Sequence, residues 1–361
     1  MSFEKDVQRG SRILRQEKMA RVTIDDIAKK AGVTKGLVSR ALTGKYNVSD
    51  KMRDEITRAA VALGYDFTKL RSKSKKRSKC LLVMSQNMLV NEAYWQPIIR
   101  AITSTLDVSG IGLEYFIYDD ARGSDENISA LKAIDASGYV FISNNPEKYL
   151  RYTESTNRPV VVIDPRSTCT GKHLQIKFSN VSTVYDLTRL LYLNGHKNLL
   201  FYGPKDAVVS FIEREQGFTV CVHELKEYGV NYYRVLFDNS QGYYADNKAF
   251  TDMLLAHPEI TGIVCANDII ALNALASIKQ LGKSVPQDYS VVGFDNIAES
   301  REGMMNLTTA NVPREELGVE AARYLINHIN SNQVKYSQIV IDCEIVTRGS
   351  IRNITPMEEA Q

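Results

Sequence analysis

Polar side chains follow several short apolar segments of the chain, where they could bind a ligand. The segments VFI, VVVI, IVCA and VVGF are followed in turn by Ser143 and Asn144, Asp164, Asn267 and Asp268, and Asp295. Carboxylates and amides suit the recognition of hydroxyl groups. The sequence shows no Ser-His-Asp set and no nucleophile beside a base, so we predict binding without catalysis. For any one aspartate, loop capping is the alternative, but the group together favours a cleft.

The segments that carry these side chains alternate with amphipathic helices from Leu81 onward. Such alternation predicts parallel sheets with crossover helices, and eight strands divide naturally into two subdomains. In open α/β sheets, ligands bind beyond the carboxyl ends of the strands. No nucleotide or dinucleotide phosphate-binding motif is present, so we predict no cofactor. The predicted strands are LLVMS, GLEYFIYD, GYVFIS, PVVVID, NLLFYG, YYRVLF, GIVCAN and SVVGFD.

Charge is distributed unevenly along the 361 residues. Residues 1–79 hold 21 Lys or Arg and 9 Asp or Glu, a net charge of +12. The remaining 282 residues hold 24 basic and 33 acidic side chains, a net charge of −9. A basic head on an acidic body is typical of a protein that binds a polyanion. The alternative is a solvated charged face.

The stretch DDIAKKAGVTKGLVSRAL, Asp25 to Leu42, contains two short helical patterns around Gly32. Thr23 and Asp26 predict a capping box at the start of the first helix, and Ser49 is the predicted N-cap of a third helix. The spacing of small and aliphatic residues is that of a helix-turn-helix, whose second helix enters the DNA major groove. Arg40 suits a bidentate contact with guanine. The alternative is a helical hairpin that packs on another protein. The outward positions of the second helix are Thr34, Lys35, Gly36, Ser39 and Arg40.

Residues 22–65 resemble the head of the lactose/galactose-repressor family of bacterial transcription regulators. The likeness is continuous and includes the VSR of the second helix, VSDKMRDEI and LGY. It implies that Lys35, Gly36 and Arg40 hold the base-reading positions, and we add Lys45 to the expected DNA contacts. Gly36 departs from the family, in which a side chain stands there. Glycine removes one expected base contact and weakens the helix by about 1 kcal/mol relative to alanine.

The linker after this head also departs from the family, in which a short hinge helix wedges a leucine into the minor groove. Ser74 stands at the wedge position, and the usual Pro-Asn pair is missing. We therefore expect the linker to bind phosphates, with a flexible linker whose charge aids solubility as the alternative. The expected contacts in the linker are Lys69, Arg71, Lys73, Lys75 and Lys76.

The body resembles the core of the same family, which is similar to periplasmic sugar-binding proteins, from about Leu81 to Thr347. RPVVVID, LYLNGHKNLLFYG, GIVCANDIIALNAL and DYSVVGFDNIA carry this likeness. It implies a core of two doubly wound parallel-sheet subdomains with an effector cleft between them. Trp95 either stacks on a sugar or packs in the core, and Gln241 replaces an aromatic ring. The implied cleft residues are Tyr94, Trp95, Ser143, Asn144, Asp164, Arg214, Gln241, Asn267 and Asp295.

The expected domains are an N-terminal extension (1–20, disordered), the head (21–66), the linker (67–79), the core (80–352) and a tail (353–361). Subdomain one covers about 80–176 and 314–340, and subdomain two about 177–313 and 341–352. The five cysteines form no CxxC pair, so we expect reduced thiols and no metal site. No secretory signal or membrane span is apparent, which places the protein in the bacterial cytoplasm, on the nucleoid.

These features predict a homodimeric repressor of a carbohydrate-utilisation operon. Its expected partners are double-stranded operator DNA and a small sugar or sugar phosphate, with no membrane. One alternative is a global catabolite-type regulator with a phosphoprotein co-repressor. A transport protein that binds sugar and an enzyme are two further alternatives, and the DNA-reading head and the missing catalytic motifs argue against them.

Overall fold

The computed structural model describes most of the chain in two units, which lie within residues 1–76 and 77–361. Of the described residues, no helix is both long and apolar enough to cross a membrane. The cysteines described, namely Cys80, Cys221, Cys265 and Cys343, are free thiols. The described residues are 22–42, 48–65, 78–86, 92–119, 124–142, 147–165, 173–205, 208–238, 247–301, 306–329 and 337–355.

The first unit contains the three predicted head helices. Thr23 Oγ1 accepts a hydrogen bond from Asp26 N, and Thr23 N donates to Asp26 Oδ2, which confirms the capping box. Gly32 ends the first helix at a positive φ of 64°, and Ser49 caps the third. Ile27, Val38 and Ile56 are fully buried between them. The helices are α1 (Ile24–Ala31), α2 (Lys35–Leu42) and α3 (Asp50–Ala62).

The first sheet of the second unit is parallel throughout, in the order β11-β5-β4-β3-β1-β2. Its central strands are apolar on both faces because helices cover both sides. Its strands are β1 (Lys79–Ser85), β2 (Gly112–Tyr118), β3 (Gly138–Ile142), β4 (Val160–Ile163), β5 (Leu174–Phe178) and β11 (Ser337–Ile341). The associated helices are α4 (Glu92–Val108), α5 (Ser124–Lys132), α6 (Glu147–Ser155) and α11 (Arg314–Ile329).

The second sheet has the order β12-β10-β9-β8-β6-β7, and only its β12–β10 pair is antiparallel within the described residues. His196 is buried, and its ring nitrogens form hydrogen bonds with Thr261 Oγ1 and Arg352 O. Its strands are β6 (Asn198–Lys205), β7 (Asn231–Asp238), β8 (Gly262–Cys265), β9 (Ser290–Asp295), β10 (Thr308–Asn311) and β12 (Glu344–Val346). Its helices are α7 (Asn180–Leu193), α8 (Val209–Glu224), α9 (Lys248–Ala256) and α10 (Asp268–Gln280).

The chain passes between the two sheets after β5, after β10 and after β11. Two of these crossings are bonded to each other: Ser179 N donates to Ile341 O at 2.9 Å, and Cys343 N donates to Ser179 Oγ at 3.2 Å. Lys177, Phe178 and Ile341 belong to the first sheet, just beyond the expected subdomain boundaries at 176 and 340.

The eight strands predicted from the sequence are confirmed as β1–β4 and β6–β9. The prediction missed β5, β10, β11 and β12. Polar residues interrupt β5 at Gln175 and Lys177, β10 reads TTAN, and β11 and β12 lie at sheet edges. These strands have no continuous apolar run, because their polar side chains bond to neighbouring elements or face solvent.

Candidate functional site

Two aspartates at strand ends of the core adopt unusual backbone conformations. Asp164, which follows β4, has a φ of 49°, and Asp295, the last residue of β9, has a φ of 114°. Positive φ costs a residue other than glycine of order 1–3 kcal/mol, and such strain concentrates at functional sites. Both residues lie at the carboxyl ends of their strands, where open α/β sheets bind ligands.

Arg214 of α8 connects the side chains of this region. Its Nε donates to Asn180 Oδ1 at 3.0 Å, its Nη1 to Ala266 O at 2.9 Å and its Nη2 to Asp295 Oδ1 at 3.5 Å. The guanidinium carbon lies 3.7 Å from the centre of the Phe294 ring. Arg214 is only 4% exposed, so its charge is held in place by these contacts.

The packing of α8 against α7 allows Arg214 to reach these partners. Gly217 lies on α8, one turn after Arg214, and a β-carbon added there would meet Val181 O at 2.3 Å. Only glycine permits this distance between the two helices. Gly318 has the same effect where α11 crosses α4, because a β-carbon there would meet Ile98 O at 2.4 Å.

Side chains also join the two subdomains to each other. Ser210 of α8 donates to Asp164 Oδ2 at 3.2 Å. Lys177 of β5 forms an ion pair with Glu213 of α8, and both are mostly buried. Asn180, which accepts a hydrogen bond from Arg214 Nε, also donates one through its amide nitrogen to Glu213 Oε2 at 3.0 Å. It therefore connects the Lys177–Glu213 ion pair to Arg214.

Burial dominates the electrostatics of the cleft. It raises the pKa of Asp164 to about 6, while Arg214 opposes the rise. Burial likewise raises the pKa of Asp295, against Arg214 and Arg314. Arg314 Nη1 donates to Asp295 O at 3.2 Å, and its guanidinium carbon lies 5.4 Å from the Tyr94 ring centre. The cleft therefore places two carboxyl groups beside two guanidinium groups.

Three predicted cleft residues have additional structural contacts. Asn267 Oδ1 accepts from Ile270 N at 2.9 Å and so caps α10. Trp95 is 5% exposed and packs in the core, while its stacking on a sugar stays a prediction. Its indole N–H is buried and has no hydrogen-bond partner among the described residues. Tyr94 packs edge-on against Trp95 at 4.9 Å.

Asp268 is a buried aspartate that bonds to the chain after β9 and to strand β10. It is fully buried, and it accepts hydrogen bonds from Ile297 N at 3.0 Å and from Thr309 Oγ1 at 2.5 Å. A β-carbon at Gly293 would meet Asp268 Oδ1 at 2.3 Å. Burial, and next the charge of Asp295, raise the pKa of Asp268 to about 7.

We expect Asp268→Asn to flatten the pH dependence of stability. The unfolded carboxyl has a pKa of about 3.9, so between about pH 4 and pH 7 the folded chain holds the extra proton. Wild-type stability therefore falls as pH rises through this range. Asparagine cannot titrate, so the contribution of Asp268 is lost, while those of Asp164 and Asp295 remain. Urea unfolding from acid to neutral pH measures this, with Asp186→Asn, at an exposed position of α7, as control. Parallel profiles for wild type and Asp268→Asn would contradict the expectation.

The predicted recognition residues Thr34, Lys35, Gly36 and Arg40 are exposed, and Ser39 is half-buried. Thr34 Oγ1 accepts from Leu37 N at 3.3 Å and caps α2. Lys35 Nζ lies 2.7 Å from Asp25 Oδ2, and Arg40 Nε donates to Gly36 O at 3.2 Å. The C-terminus of α2 is held by Arg53 of α3, whose Nη1 donates to Ala41 O at 2.9 Å.

Several predicted site residues lie outside the described residues, and their roles stay predictions. They are Lys45, Lys69, Arg71, Lys73, Lys75 and Lys76 for DNA, and Ser143, Asn144 and Gln241 for the cleft. Among the residues that the structure does describe, no group of three or more His, Cys, Asp or Glu side chains could hold a metal ion.

Sequence reasoning missed other residues of these sites. Ser210 lies one helical turn before Arg214, so its place on the same face of α8 could have been inferred from the assignment of Arg214 to the site. Asn180 follows the unpredicted strand β5, and Arg314 follows a chain crossing, so neither was apparent. The pairing of Asp25 with Lys35 has no periodic signature, because the two residues lie on different helices.

Two models of known protein families match parts of this chain. Residues 23–66 match the model of bacterial regulatory proteins of the lacI family, and residues 188–351 match a periplasmic binding protein-like domain. The HTH-type transcriptional repressor CytR of Escherichia coli is 28% identical over 336 residues, which are 91% of this chain and 96% of that protein.

The chain has a lacI-type helix-turn-helix domain and a periplasmic-binding-protein-like domain. The repressor PurR of Mannheimia succiniciproducens, also 28% identical, covers 92% of this chain with 99% of its own length. These lacI-family relatives are transcription repressors and not enzymes.

Solved structures share the fold of this chain. A transcriptional regulator CelR–cellobiose complex matches with a TM-score of 0.65 at 24% identity, covering 91% of this chain and 100% of that one. The Lac repressor dimer bound to operator and the anti-inducer ONPF matches with a TM-score of 0.62 at 24% identity, covering 92% and 100%.

Proposed function

We propose that this protein is a homodimeric repressor of a carbohydrate-utilisation operon, and that a small neutral sugar controls its binding to operator DNA. It acts in the bacterial cytoplasm, where operator DNA is found. Its lacI-family head and its relatives, which are named as repressors, support the DNA-binding part. The operator-bound Lac repressor dimer, which has the same fold, supports the homodimer.

The proposal of a sugar effector rests on the polar side chains that lie between the two subdomains. Asp164 and Asp295 come from different subdomains, and Arg214 stands between them with its donors directed by fixed partners. Carboxylates and a guanidinium in this arrangement bind vicinal hydroxyl groups. The cellobiose complex with the same fold supports this ligand class.

Charge balance favours a neutral sugar over a sugar phosphate. Of the described cleft cations, Lys177 pairs with Glu213, and Arg214 and Arg314 both contact Asp295. A phosphate group would bring additional negative charge next to two buried carboxyl groups. A neutral polyol replaces water hydrogen bonds without this penalty.

Effector and DNA binding are coupled through the contacts between subdomains. A sugar that binds one arrangement of the subdomains better shifts the population towards it. A tenfold to hundredfold change in operator affinity requires about 1.4–2.7 kcal/mol of differential binding.

The test uses the full-length protein and DNA selected from a randomised duplex library. Binding to the selected duplex is then measured against a panel of neutral and phosphorylated sugars, together with Trp95 fluorescence. We expect one neutral sugar to change both signals with the same midpoint. A response to phosphorylated sugars alone would contradict the neutral ligand. If no sugar in the panel changes either signal, the result would favour a global regulator with a phosphoprotein co-repressor. The sugar-bound structural neighbour does not favour that alternative.

We expect Arg40→Ala to reduce operator preference by about tenfold to a hundredfold, because it removes a bidentate guanine contact. Competition between selected and random duplexes measures this. Arg58→Ala, which removes an exposed arginine of α3, is the control and should keep the preference. Unchanged preference in Arg40→Ala would show that α2 is not the reading helix.

A further inference from the structure

We propose that Asp25 is a specificity-determining residue of the head, and that it reads one G·C base pair of each half-site together with Lys35. This inference rests on the proposed function, since it assigns part of the operator sequence to a pair of side chains. Lys35 was expected to reach DNA, whereas Asp25 lies on the other helix of the motif.

The geometry of the pair carries the inference. Lys35 is the first residue of α2, the end of a recognition helix that contacts base edges. Its Nζ lies 2.7 Å from Asp25 Oδ2, and the two side chains are 65% and 53% exposed. The next residue is Gly36, where an added β-carbon would meet no atom within 4 Å. The pair thus stands at the reading end of the helix with open space beside it.

The fold of the head does not depend on this ion pair. Asp26, not Asp25, forms the capping box with Thr23. An ion pair between two side chains as exposed as these contributes little to stability. The pairing instead fixes a hydrogen-bond donor and an acceptor next to each other on an exposed surface.

A G·C pair presents the complementary pattern in the major groove. Guanine O6 and N7 accept hydrogen bonds, and cytosine N4 donates one. O6 and N4 are joined by a base-pair hydrogen bond, so they lie about 2.9 Å apart. An ammonium and a carboxylate at 2.7 Å can meet these two atoms together.

An A·T pair fits less well. A carboxylate that accepts from adenine N6 would also face the adenine N7 acceptor, and an ammonium at thymine O4 would lie beside the C5-methyl group. The carboxylate also repels phosphates, which a free lysine would bind without regard to sequence. Asp25 thus directs Lys35 towards a base edge.

The experiment compares the wild type with Asp25→Asn, Lys35→Ala and the double variant, all full-length, by selection from a randomised duplex library. We expect Asp25→Asn and Lys35→Ala to lose about tenfold of the preference for G·C at the same position in each half-site. The double variant should lose no more than either single variant, because the two act as one unit. Asp25→Asn should also bind random duplex more tightly, with a steeper salt dependence, because Lys35 is free to neutralise about one more phosphate.

Glu55→Gln is the matched control, because it removes one exposed carboxylate of α3 at a distance from the recognition positions. It should leave the preference at every position unchanged. An Asp25→Asn variant that keeps the wild-type preference at every position would overturn the proposal. Loss of preference at different positions in the two single variants would also overturn it. A wild type that selects no sequence at all would contradict the proposed function itself, which is a distinct result.

Discussion

Replacing Arg214 with leucine is expected to lower the free energy of unfolding by about 3–5 kcal/mol and to abolish the sugar response. Arg214 is 4% exposed and donates to Asn180 Oδ1, Ala266 O and Asp295 Oδ1. Leucine fills part of the space but leaves three buried acceptors without these donors. The pKa of Asp295 should rise further, since Arg214 lowers it in the wild type.

Urea unfolding and sugar-dependent DNA binding measure the two effects of Arg214→Leu. Arg234→Leu is the matched control, because Arg234 pairs with Glu215 of the same helix α8 but is 45% exposed. Loss of that surface pair should cost less than about 1 kcal/mol. Adding Asp295→Asn to Arg214→Leu should restore part of the stability, because the unpaired carboxyl is removed. Equal stability of Arg214→Leu and Arg234→Leu would show that Arg214 is not the buried centre described above.

Replacing Gly217 with valine is expected to destabilise the protein by about 3 kcal/mol and to weaken sugar binding. A β-carbon at Gly217 would lie 2.3 Å from Val181 O, which is a backbone atom and cannot rotate away. Helices α7 and α8 must therefore separate. Arg214 and Ser210 lie on α8, and Asn180 lies on α7, so the separation stretches the contacts that define the cleft.

The matched control for Gly217→Val is Gly112→Val. A β-carbon at Gly112 meets only Lys79 Cβ, at 4.0 Å, and valine favours a strand such as β2. This control should change stability by less than about 1 kcal/mol. If both variants unfold at the same urea concentration, the close packing of α7 on α8 is not essential.

The head could be predicted from the sequence almost completely because its signals are local. Thr23 with Asp26, Gly32 and Ser49 each mark a helix end within a few residues, and the structure shows the expected caps. Most central strands were equally clear, since parallel strands covered on both faces form apolar runs. The edge strands β2 and β7 were predicted, but the edge strands β11 and β12 were not. The central strands β5 and β10 were missed because polar residues interrupt their apolar runs.

The cleft could be predicted only in part. Strand-end positions indicated Asp164 and Asp295, and family resemblance indicated Arg214. The positive φ of both aspartates was not predictable, because it depends on contacts made by distant parts of the chain. The same holds for Asn180 and Ser210, which meet Arg214 and Asp164 through tertiary packing. The role of Trp95 could not be decided from the sequence, because an aromatic residue after a strand can either pack in the core or stack on a ligand.

The three chain crossings determine when each part of the protein can be completed during synthesis. The helices of the head end by residue 62, so the head is complete early. Both subdomains of the core are completed much later in synthesis. Subdomain one needs α11 and β11 (314–341), and subdomain two needs β12 (344–346). A chain terminated after Asn311 would carry an intact head on an unfinished core. We expect the head of such a fragment to keep its fold while the unfinished core neither binds the effector nor supports a dimer, so a stop codon late in the gene would abolish regulated DNA binding although the reading helix is intact.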